Sequence, residues 1–301
     1  MAEKRQGISN VFIGPAGWSY KDWVGPVYPP GRSTDQLLTI ARYFNCIELN
    51  SSFYRPPNKR LVESWCMRLS ANPDFKLTVK VWRRFTHEMK GTHYEAKKFV
   101  HSFDSLAENG KLGAFLLQFP WSFKNDPENR RYLKRLGSWF NEYPTAVEFR
   151  HGSWDSPDTL KILSDHNLAF CNIDQPMIGR SIPPTEYVTD MRLGYIRLHG
   201  RNRNNWFRSD AGRDERYDYL YCDGELKEWR NRAQKIIRKA KNLFIITNNH
   251  FRGQALVNAF QLRYLLEERK RHVPSRLKSA FPVLGDIALQ AYSQSELLED
   301  L

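Results

Sequence analysis

The sequence predicts a single (β/α)8 barrel, in which eight parallel strands form a closed ring inside a layer of helices. Short segments rich in β-branched and aromatic residues alternate with longer segments of helical period. The strand-like segments number eight, which is the count that a barrel requires. A chain of 301 residues is long enough to bury one large core. Polar and charged residues also gather late in these segments, at the end of a barrel where active sites are built.

The predicted strands are, in chain order, 11–14, 46–50, 75–81, 112–119, 144–150, 168–173, 193–199 and 243–248. The predicted helices are 33–43, 58–70, 94–108, 127–141, 157–166, 225–240 and 254–268. Ser33 or Thr34 can cap the first helix, and Pro127 and Pro157 suit a first helical turn. These start signals support the alternation of strands and helices.

The connection after the sixth strand differs from the others. Residues 175–192 contain Pro176, Pro183 and Pro184, and proline both removes a backbone donor and clashes within a helix. We therefore expect the helix after strand six to be short or replaced by a loop. An open, doubly wound sheet is the alternative fold, and no Gly-x-Gly-x-x-Gly phosphate-binding run supports it.

Three regions are expected along the chain: a flexible N-terminus at 1–10, the TIM-barrel domain at 11–270, and a C-terminal extension at 271–301 that packs on the barrel or frays. The first residues are polar, and nowhere do about 18 apolar residues occur in succession. The four cysteines are widely spaced with no Cys-x-x-Cys pair, which is typical of reduced thiols. The sequence therefore predicts a cytoplasmic protein without a membrane partner.

Strand parity predicts which side chains face the barrel interior, because they alternate between the interior and the helix layer. In the fifth strand Val147 and Phe149 suit the helix layer, which turns Glu148 and Arg150 inward. The same argument gives these further inward or strand-end residues: Glu48, Asn50, Lys80, Gln118, Asn172, Asp174, Arg197, His199 and Asn248. Burying unpaired charge is costly, so this agreement indicates either an active site or a salt-bridge network kept for packing alone, in which Glu48 and Glu148 pair with Arg150, Arg197 and Lys80.

Seven blocks of sequence lie in order at or near these strand ends. They are Gly14-Pro15-Ala16-Gly17-Trp18-Ser19-Tyr20 with Tyr28-Pro29-Pro30-Gly31, Glu48-Leu49-Asn50-Ser51-Ser52-Phe53-Tyr54, Lys80 with Thr86-His87, Gln118-Phe119-Pro120-Trp121-Ser122-Phe123, Glu148-Phe149-Arg150-His151-Gly152-Ser153-Trp154, Arg197-Leu198-His199-Gly200, and Asn248-Asn249. Together they resemble the YecE-like family, domain of unknown function 72, over about residues 11–267. The resemblance implies a TIM barrel with these blocks at the strand ends. It implies no reaction, because this family has no established activity.

Two departures from the family pattern are visible. Pro15 and Ala16 stand where the resemblance leads us to expect Thr and Ser, which removes two hydroxyls and a backbone donor. Residues 201–221 form a longer and more basic insertion than the pattern implies.

The leading hypothesis is an uncharacterised barrel enzyme of hydrolase or isomerase type, acting on an anionic or polyol-containing small molecule. Glu48, Glu148 and His199 are the candidates for acid/base catalysis. The candidates for substrate binding combine cations for phosphate or carboxylate with rings and amides for a sugar. They are Trp18, Tyr20, Asn50, Tyr54, Lys80, Gln118, Arg150, Trp154, Asp174, Arg197 and Asn248.

No cofactor is expected, and neither is a resident metal ion. Glu148, Asp174, His199 and His250 could supply ligands to a divalent metal, but three inward cations would repel it. For His87, His151 and His250 the sequence favours packing within loops over a role in the site.

A nucleic-acid-binding protein, with a nuclease or repair factor among its forms, is the alternative. The net charge is +13, from 46 Lys and Arg against 33 Asp and Glu, and residues 201–208 interleave basic and aromatic side chains. A solvated lid loop explains the same segment equally well. A noncatalytic ligand-binding barrel is a third interpretation. The sequence predicts no oligomeric state.

Overall fold

The computed structural model describes residues 10–31, 33–206, 208 and 214–289. Its eight strands are β1 Val11–Pro15, β2 Cys46–Leu49, β3 Lys76–Lys80, β4 Leu112–Gln118, β5 Thr145–Glu148, β6 Leu168–Asp174, β7 Leu193–Leu198 and β8 Asn242–Thr247. The strands form one sheet in the order β1-β8-β7-β6-β5-β4-β3-β2, and every paired neighbour is parallel. The sheet curls into a nearly closed barrel, so the predicted (β/α)8 fold is confirmed.

Helices cover the outside of the barrel and its two ends. They are α1 Gln36–Tyr43, α2 Ser51–Tyr54, α3 Lys59–Arg68, α4 Arg83–Thr86, α5 His93–His101, α6 Asp104–Glu108, α7 Pro127–Trp139, α8 Pro157–Asp165, α9 Asp223–Ile237, α10 Gln254–Glu267 and α11 Ser275–Ala280. The short helices α2, α4 and α11 were not predicted, because segments of four to six residues carry little periodic signal.

Several helix boundaries differ from the predictions by one to three residues, and two of the differences have clear local causes. Helix α1 begins at Gln36 because the Asp35 carboxylate accepts the Leu38 N–H at 3.0 Å, so neither Ser33 nor Thr34 is the cap. The predicted helix 94–108 is two helices, α5 and α6, interrupted at 102–103. There the Ser102 hydroxyl donates to the Phe99 carbonyl at 2.6 Å, a side-chain bond that competes with the helical pattern.

A loop replaces the helix after β6, as the three prolines predicted. Asn172 fastens this loop to the outside of the strand: its Oδ1 accepts the Tyr187 N–H at 2.7 Å and the Thr185 hydroxyl at 2.8 Å. Asn172 therefore points outward, and Cys171 points inward with its Sγ 4.0 Å from Glu148. The prediction that Asn172 faces inward and Cys171 outward was therefore wrong. A loop covers this strand, and its backbone groups need polar partners, whereas a covering helix would present apolar side chains.

The barrel closes at a seam between β1 and β2, where a single bridge joins Ala16 to Glu48. Below that bridge the Asn45 side chain takes the place of a strand: its Nδ2 donates to the Val11 carbonyl and its Oδ1 accepts the Ile13 N–H, each at 2.8 Å. At Gly14 the two backbones come so close that a Cβ would lie 1.8 Å from the Cys46 carbonyl oxygen. Only glycine fits at this position of the seam.

The C-terminal extension packs against the barrel as far as the structure describes it. Leu277 of α11 and Leu284 in the turn Pro282–Leu284 are fully buried, and a bridge pairs Arg271 with Ala288. The expected flexible N-terminus lies outside the described residues apart from Asn10, as do residues 290–301. Among the described helices, none is both long and apolar enough to cross a membrane.

Replacing Gly14 with Ala should destabilise the protein by about 3 kcal/mol, because the strands at the seam must move apart to admit a methyl group. The control is Gly224→Ala in the first turn of α9, where a Cβ meets nothing closer than 3.9 Å and alanine favours the helix. Urea unfolding of both variants gives the two free energies. A Gly14→Ala variant as stable as the parent would show that β1 and β2 are farther apart than described.

Candidate functional site

The barrel interior is layered from an apolar base to a charged centre. At the base Phe12 of β1 stacks on Phe244 of β8, with ring centroids 4.7 Å apart. Above them the Tyr195 hydroxyl of β7 lies 2.8 Å from Thr78 Oγ1 and donates to Glu48 Oε2 at 2.9 Å. The hydrophobic base excludes water from below, so the charged groups above it are desolvated from that side.

Arg197 of β7 lies at the centre of the charged layer. Its Nη2 donates to Glu48 Oε1 at 2.6 Å, and its Nη1 contacts both Glu148 Oε2 and Gln118 Oε1, the latter at 3.1 Å. Arg197 is 1% exposed, and both carboxylates are fully buried. One guanidinium group thus joins β2, β4, β5 and β7 across the barrel. Parity predicted that the four side chains face inward, and not that they meet.

Glu148 is held as a carboxylate by the cations around it. Its Oε1 lies 2.6 Å from Arg150 Nε and 3.2 Å from His199 Nε2, and its Oε2 meets Arg197. Burial alone would raise the pKa of Glu148, but the charges of Arg150 and Arg197 outweigh it and hold that pKa well below the usual value. Glu148 therefore has no proton to give at neutral pH, which argues against the role of general acid.

His199 is fully buried and electrically neutral. Burial, followed by the charge of Arg150, lowers the pKa of His199 to about 3. Its Nδ1 lies 2.9 Å from Asn248 Nδ2. With the Asn248 amide assigned as the donor, the ring hydrogen is on Nε2, facing Glu148. His199 therefore stays neutral beside Glu148 and does not exchange protons near pH 7.

A pocket of about 390 Å³ opens above this network at the carboxyl ends of the strands. Eight of the predicted substrate-binding residues line it: Trp18, Tyr20, Asn50, Tyr54, Lys80, Gln118, Arg197 and Asn248. The three predicted catalytic residues, Glu48, Glu148 and His199, are fully buried and do not line it. Arg150, 7% exposed, also lies outside the lining. The site therefore has a binding surface and, behind it, a charged support, and Arg197 belongs to both.

Trp154 and Asp174 do not face the pocket. Trp154 is buried in a stack with Phe149, at 4.4 Å between ring centroids, and its Nε1 donates to the Phe123 carbonyl at 2.7 Å. Asp174 shares the outward parity of Asn172, and its carboxylate pairs with Arg201 Nε at 2.9 Å. Their predicted inward or rim positions were therefore wrong, and both side chains fasten the outer layer.

Six lining residues were not among the predicted site residues: Gly17, Ser19, Leu49, Ser51, Tyr217 and His250. His250 lines the pocket and stacks on Tyr20 at 4.2 Å between centroids, with the Tyr217 ring 5.0 Å away on another side. Strand parity could not have found His250, because it lies beyond the end of β8 with a helical backbone conformation. No sequence signal marks Tyr217, which reaches the pocket from the turn Glu215–Tyr217 in the long insertion.

Lys80, the last residue of β3, is the partly buried amine on the pocket wall. Its Nζ lies 4.0 Å from the centroid of the Phe53 ring. Within the part of the chain that the structure describes, no carboxylate oxygen comes within 4.0 Å of this amine. Burial, followed by the charge of Arg197, lowers the pKa of Lys80 to about 7, although Glu48 and Glu148 oppose the shift.

The four side chains considered as metal ligands do not converge. Glu148 and His199 meet, but Asp174 points away and two guanidinium groups occupy the Glu148 oxygens. Over the described ranges, the group of three with suitable ligand spacing is His101, Asp104 and Glu142, close to α5 and α6 and outside the pocket. An acidic cluster of this kind is common on protein surfaces.

The basic segment 201–208 turns toward the barrel at two of its residues. Arg201 pairs with Asp174 and, at 2.9 Å, with Glu225. The Trp206 ring lies 5.5 Å from the Arg150 guanidinium carbon and covers it. Phe207 lies outside the described residues. This arrangement suits a loop that covers the charged layer.

Comparisons with known proteins agree with this architecture. The family model described as "Protein of unknown function DUF72" matches residues 12–282. The UPF0759 protein YunF of Bacillus subtilis is 30% identical over 273 residues, covering 85% of this chain and 95% of its own. The UPF0759 protein YecE of Escherichia coli K12 is 28% identical over 145 residues, 47% of this chain and 48% of its own.

Two solved structures share the fold. A DUF72 family protein from Thermotoga maritima superposes with a TM-score of 0.77 at 35% identity, covering 86% of this chain and 99% of its own. One from Enterococcus faecalis gives a TM-score of 0.75 at 28% identity, covering 85% and 95%. With the family model matched over most of the chain, this protein belongs to the DUF72 family.

Proposed function

We propose that this protein is an enzyme of isomerase or hydrolase type that binds an anionic, hydroxyl-bearing small molecule in the pocket and transfers protons through Lys80. The observation that carries the proposal is the position of Lys80 on the pocket wall without a carboxylate partner. An amine without an ionic partner can lose its proton and act as a base. If its pKa lies near neutral pH, it can also return the proton as an acid. Lys80 thus replaces Glu48, Glu148 and His199 as the proposed proton-transfer group.

The pocket walls fit a ligand that combines a negative charge with hydroxyl groups. Lys80 in its protonated form contributes positive charge to one side, where the charge of Arg197 is already balanced by Glu48 and Glu148. The amides of Asn50, Gln118 and Asn248 offer both donors and acceptors. The rings of Trp18, Tyr20, Tyr54 and Tyr217 offer faces for the C–H surface of a sugar-like compound.

Glu48, Glu148 and Arg197 act in this proposal as a support that fixes the potential at Lys80. The polar interior can therefore be a structural salt-bridge network and part of an active site at the same time, so these two interpretations are compatible. The cytoplasm is the proposed compartment, which agrees with four cysteines that are all free thiols.

The nucleic-acid alternative keeps only the net charge of +13 as its support. Arg201 is engaged with Asp174 and Glu225, and Trp206 covers Arg150. These two contacts leave Arg203 and Arg208 as the exposed basic side chains of the segment.

Proton transfer can be tested in D2O without knowing the full reaction. We expect the protein to exchange the hydrogen next to the carbonyl of an aldose phosphate, with glyceraldehyde 3-phosphate and ribose 5-phosphate as probes, measured by proton NMR. Lys80→Met should slow the exchange by about a hundredfold or more, the usual effect of removing a general base. Lys76→Met, at the other end of β3, is the control and should leave the rate unchanged. Exchange that survives in Lys80→Met would overturn the proposed role.

The pH dependence of this exchange follows from the lowered pKa of Lys80. The base is the neutral amine, so the rate should rise between pH ~6 and ~8 and level off above, with a midpoint near 7. The charged and titratable groups facing Lys80 are Glu48, Glu148, Arg150, Arg197 and His87. Burial, followed by the charge of Lys80, lowers the pKa of His87 to about 4, so its titration falls below this range. A profile flat across the range would contradict the assignment.

Glu148→Gln tests whether the buried network supports the fold. Removing this charge leaves Arg150 and Arg197 with one carboxylate between them, so we expect a loss of about 3 kcal/mol in the free energy of unfolding. Glu63→Gln, which breaks an exposed pair with Lys59, should change it by less than about 0.5 kcal/mol. Urea titrations measure both. An unchanged stability in Glu148→Gln would show that the network supplies nothing to the fold.

Salt dependence separates the enzyme from a nucleic-acid-binding protein. We expect fluorescence anisotropy with mixed-sequence single-stranded DNA and RNA to show weak binding at low salt that disappears near ~200 mM. The double variant Arg203→Ala with Arg208→Ala should behave like the control pair Arg238→Ala with Lys239→Ala on the outer face. Tight binding that persists at ~200 mM and is lost only in the first pair would favour the alternative.

A further inference from the structure

We propose that the amine of Lys80 forms a covalent imine with an aldehyde or ketone group of its substrate, so that the pocket takes the carbonyl form of an anionic, hydroxyl-bearing compound. This inference rests on the proposed function and names the substrate class of the same site. It adds a bond to carbon where the proposed function requires only proton transfer.

The geometry distinguishes Lys80 from two other lysines near the barrel strands, Lys76 at the start of β3 and Lys111 just before β4. The Nζ atoms of Lys76 and Lys111 are hydrogen-bonded to the backbone carbonyls of Gly110 and Asn72. Lys80 instead opens on a pocket of about 390 Å³, with one side of its amine against the Phe53 ring at 4.0 Å. A carbonyl compound in the pocket can approach this amine from the open side.

The amine attacks a carbonyl only in its neutral form. An ordinary lysine with a pKa near ~10.4 is neutral in roughly one molecule in a few thousand at pH 7. Burial and the neighbouring Arg197 lower the pKa of Lys80 to about 7, so about half of the molecules carry the neutral amine. Desolvation and an adjacent cation are the two devices by which proteins activate lysine as a nucleophile.

The bond changes balance without an oxidant or a reductant. The nitrogen lone pair of Lys80 forms an N–C bond to the carbonyl carbon, and the oxygen becomes the hydroxyl of a carbinolamine. This hydroxyl then leaves as water, and the two hydrogens of the neutral amine end in that water molecule. The product is a C=N bond. When its nitrogen takes up a proton from solvent, the iminium acidifies the adjacent C–H, and that proton passes to solvent water, because the lone pair of Lys80 is already used in the C=N bond.

Asn50 provides an independent indication that a hydroxyl-bearing ligand belongs here. Its side chain lines the same pocket, and its Oδ1 is buried with no hydrogen-bond donor among the residues that the structure describes. A buried acceptor without a donor is costly, and a ligand hydroxyl would satisfy it. Asn50 is therefore proposed as a positioning residue that holds the hydroxyl of a carbonyl compound attached to Lys80.

Reductive trapping tests the imine in the unmodified protein. Glyceraldehyde 3-phosphate, and glyceraldehyde as the probe without phosphate, are added with sodium cyanoborohydride near pH ~7, and peptide mass spectrometry locates the adducts. We expect Lys80 to be labelled at least about tenfold faster than Lys76, and faster with the phosphorylated probe. At pH ~10 the selectivity should shrink, because ordinary lysines become neutral there too.

Variants separate the imine from proton transfer alone. Lys80→Arg keeps a cation but cannot form an imine, so the adduct at this position should disappear while Lys76→Arg leaves Lys80 labelling intact. Asn50→Ala should raise the probe concentration for half-maximal labelling of Lys80, without moving the pH at which labelling selectivity is lost. Equal labelling of Lys80 and Lys76 at neutral pH would overturn the imine. Hydrogen exchange that depends on Lys80 but gives no adduct would overturn the imine and leave the proposed proton transfer standing. An adduct at Lys80 without hydrogen exchange would overturn the proposed proton transfer and leave the imine standing.

Discussion

The contact of Arg197 with two buried carboxylates is the interaction on which the rest of the site depends. Glu48 and Glu148 project from β2 and β5 into the barrel interior, where burying a carboxylate without a neighbouring cation is costly. The guanidinium group reaches both because its donors are held in a fixed plane. Removing any member would leave an uncompensated buried charge, so the network constrains the register of the strands that carry it.

This charged centre is possible because the barrel is closed below it by apolar side chains and because the backbone hydrogen bonds at the β1–β2 seam are satisfied. The stacked Phe12 and Phe244 close the interior from below, and Gly14 allows β1 to approach β2 at the seam. The side chain of Asn45 supplies hydrogen bonds where the two strands are not paired. The polar site is therefore supported by a closed apolar base, which keeps its dielectric low and its electrostatic interactions strong.

The sequence predicted the fold and, for most strands, which side chains face the barrel interior. It could not predict how deep below the pocket each of these side chains lies. Parity placed Glu148, Arg150, Arg197 and Lys80 inward correctly, because apolar helices cover those strands. It failed at β6, where a loop covers the strand and Asn172 is needed outside. Depth depends on how far each side chain reaches and which partner it meets, so parity could not show that Glu148 lies behind the pocket and Lys80 on its wall. Tyr217 reaches the pocket from a loop, where no periodicity applies.

The carboxylate oxygens explain why Lys80 has no partner in a site that contains two carboxylates. Glu148 Oε1 lies beside Arg150 and His199 and its Oε2 contacts Arg197, while Glu48 Oε1 accepts from Arg197 and its Oε2 from Tyr195. A rotation of either group toward Lys80 would break a contact with a buried guanidinium or hydroxyl. Each such break leaves a desolvated polar group unpaired, which is costly. The rigidity of the network therefore keeps the amine of Lys80 available to a ligand.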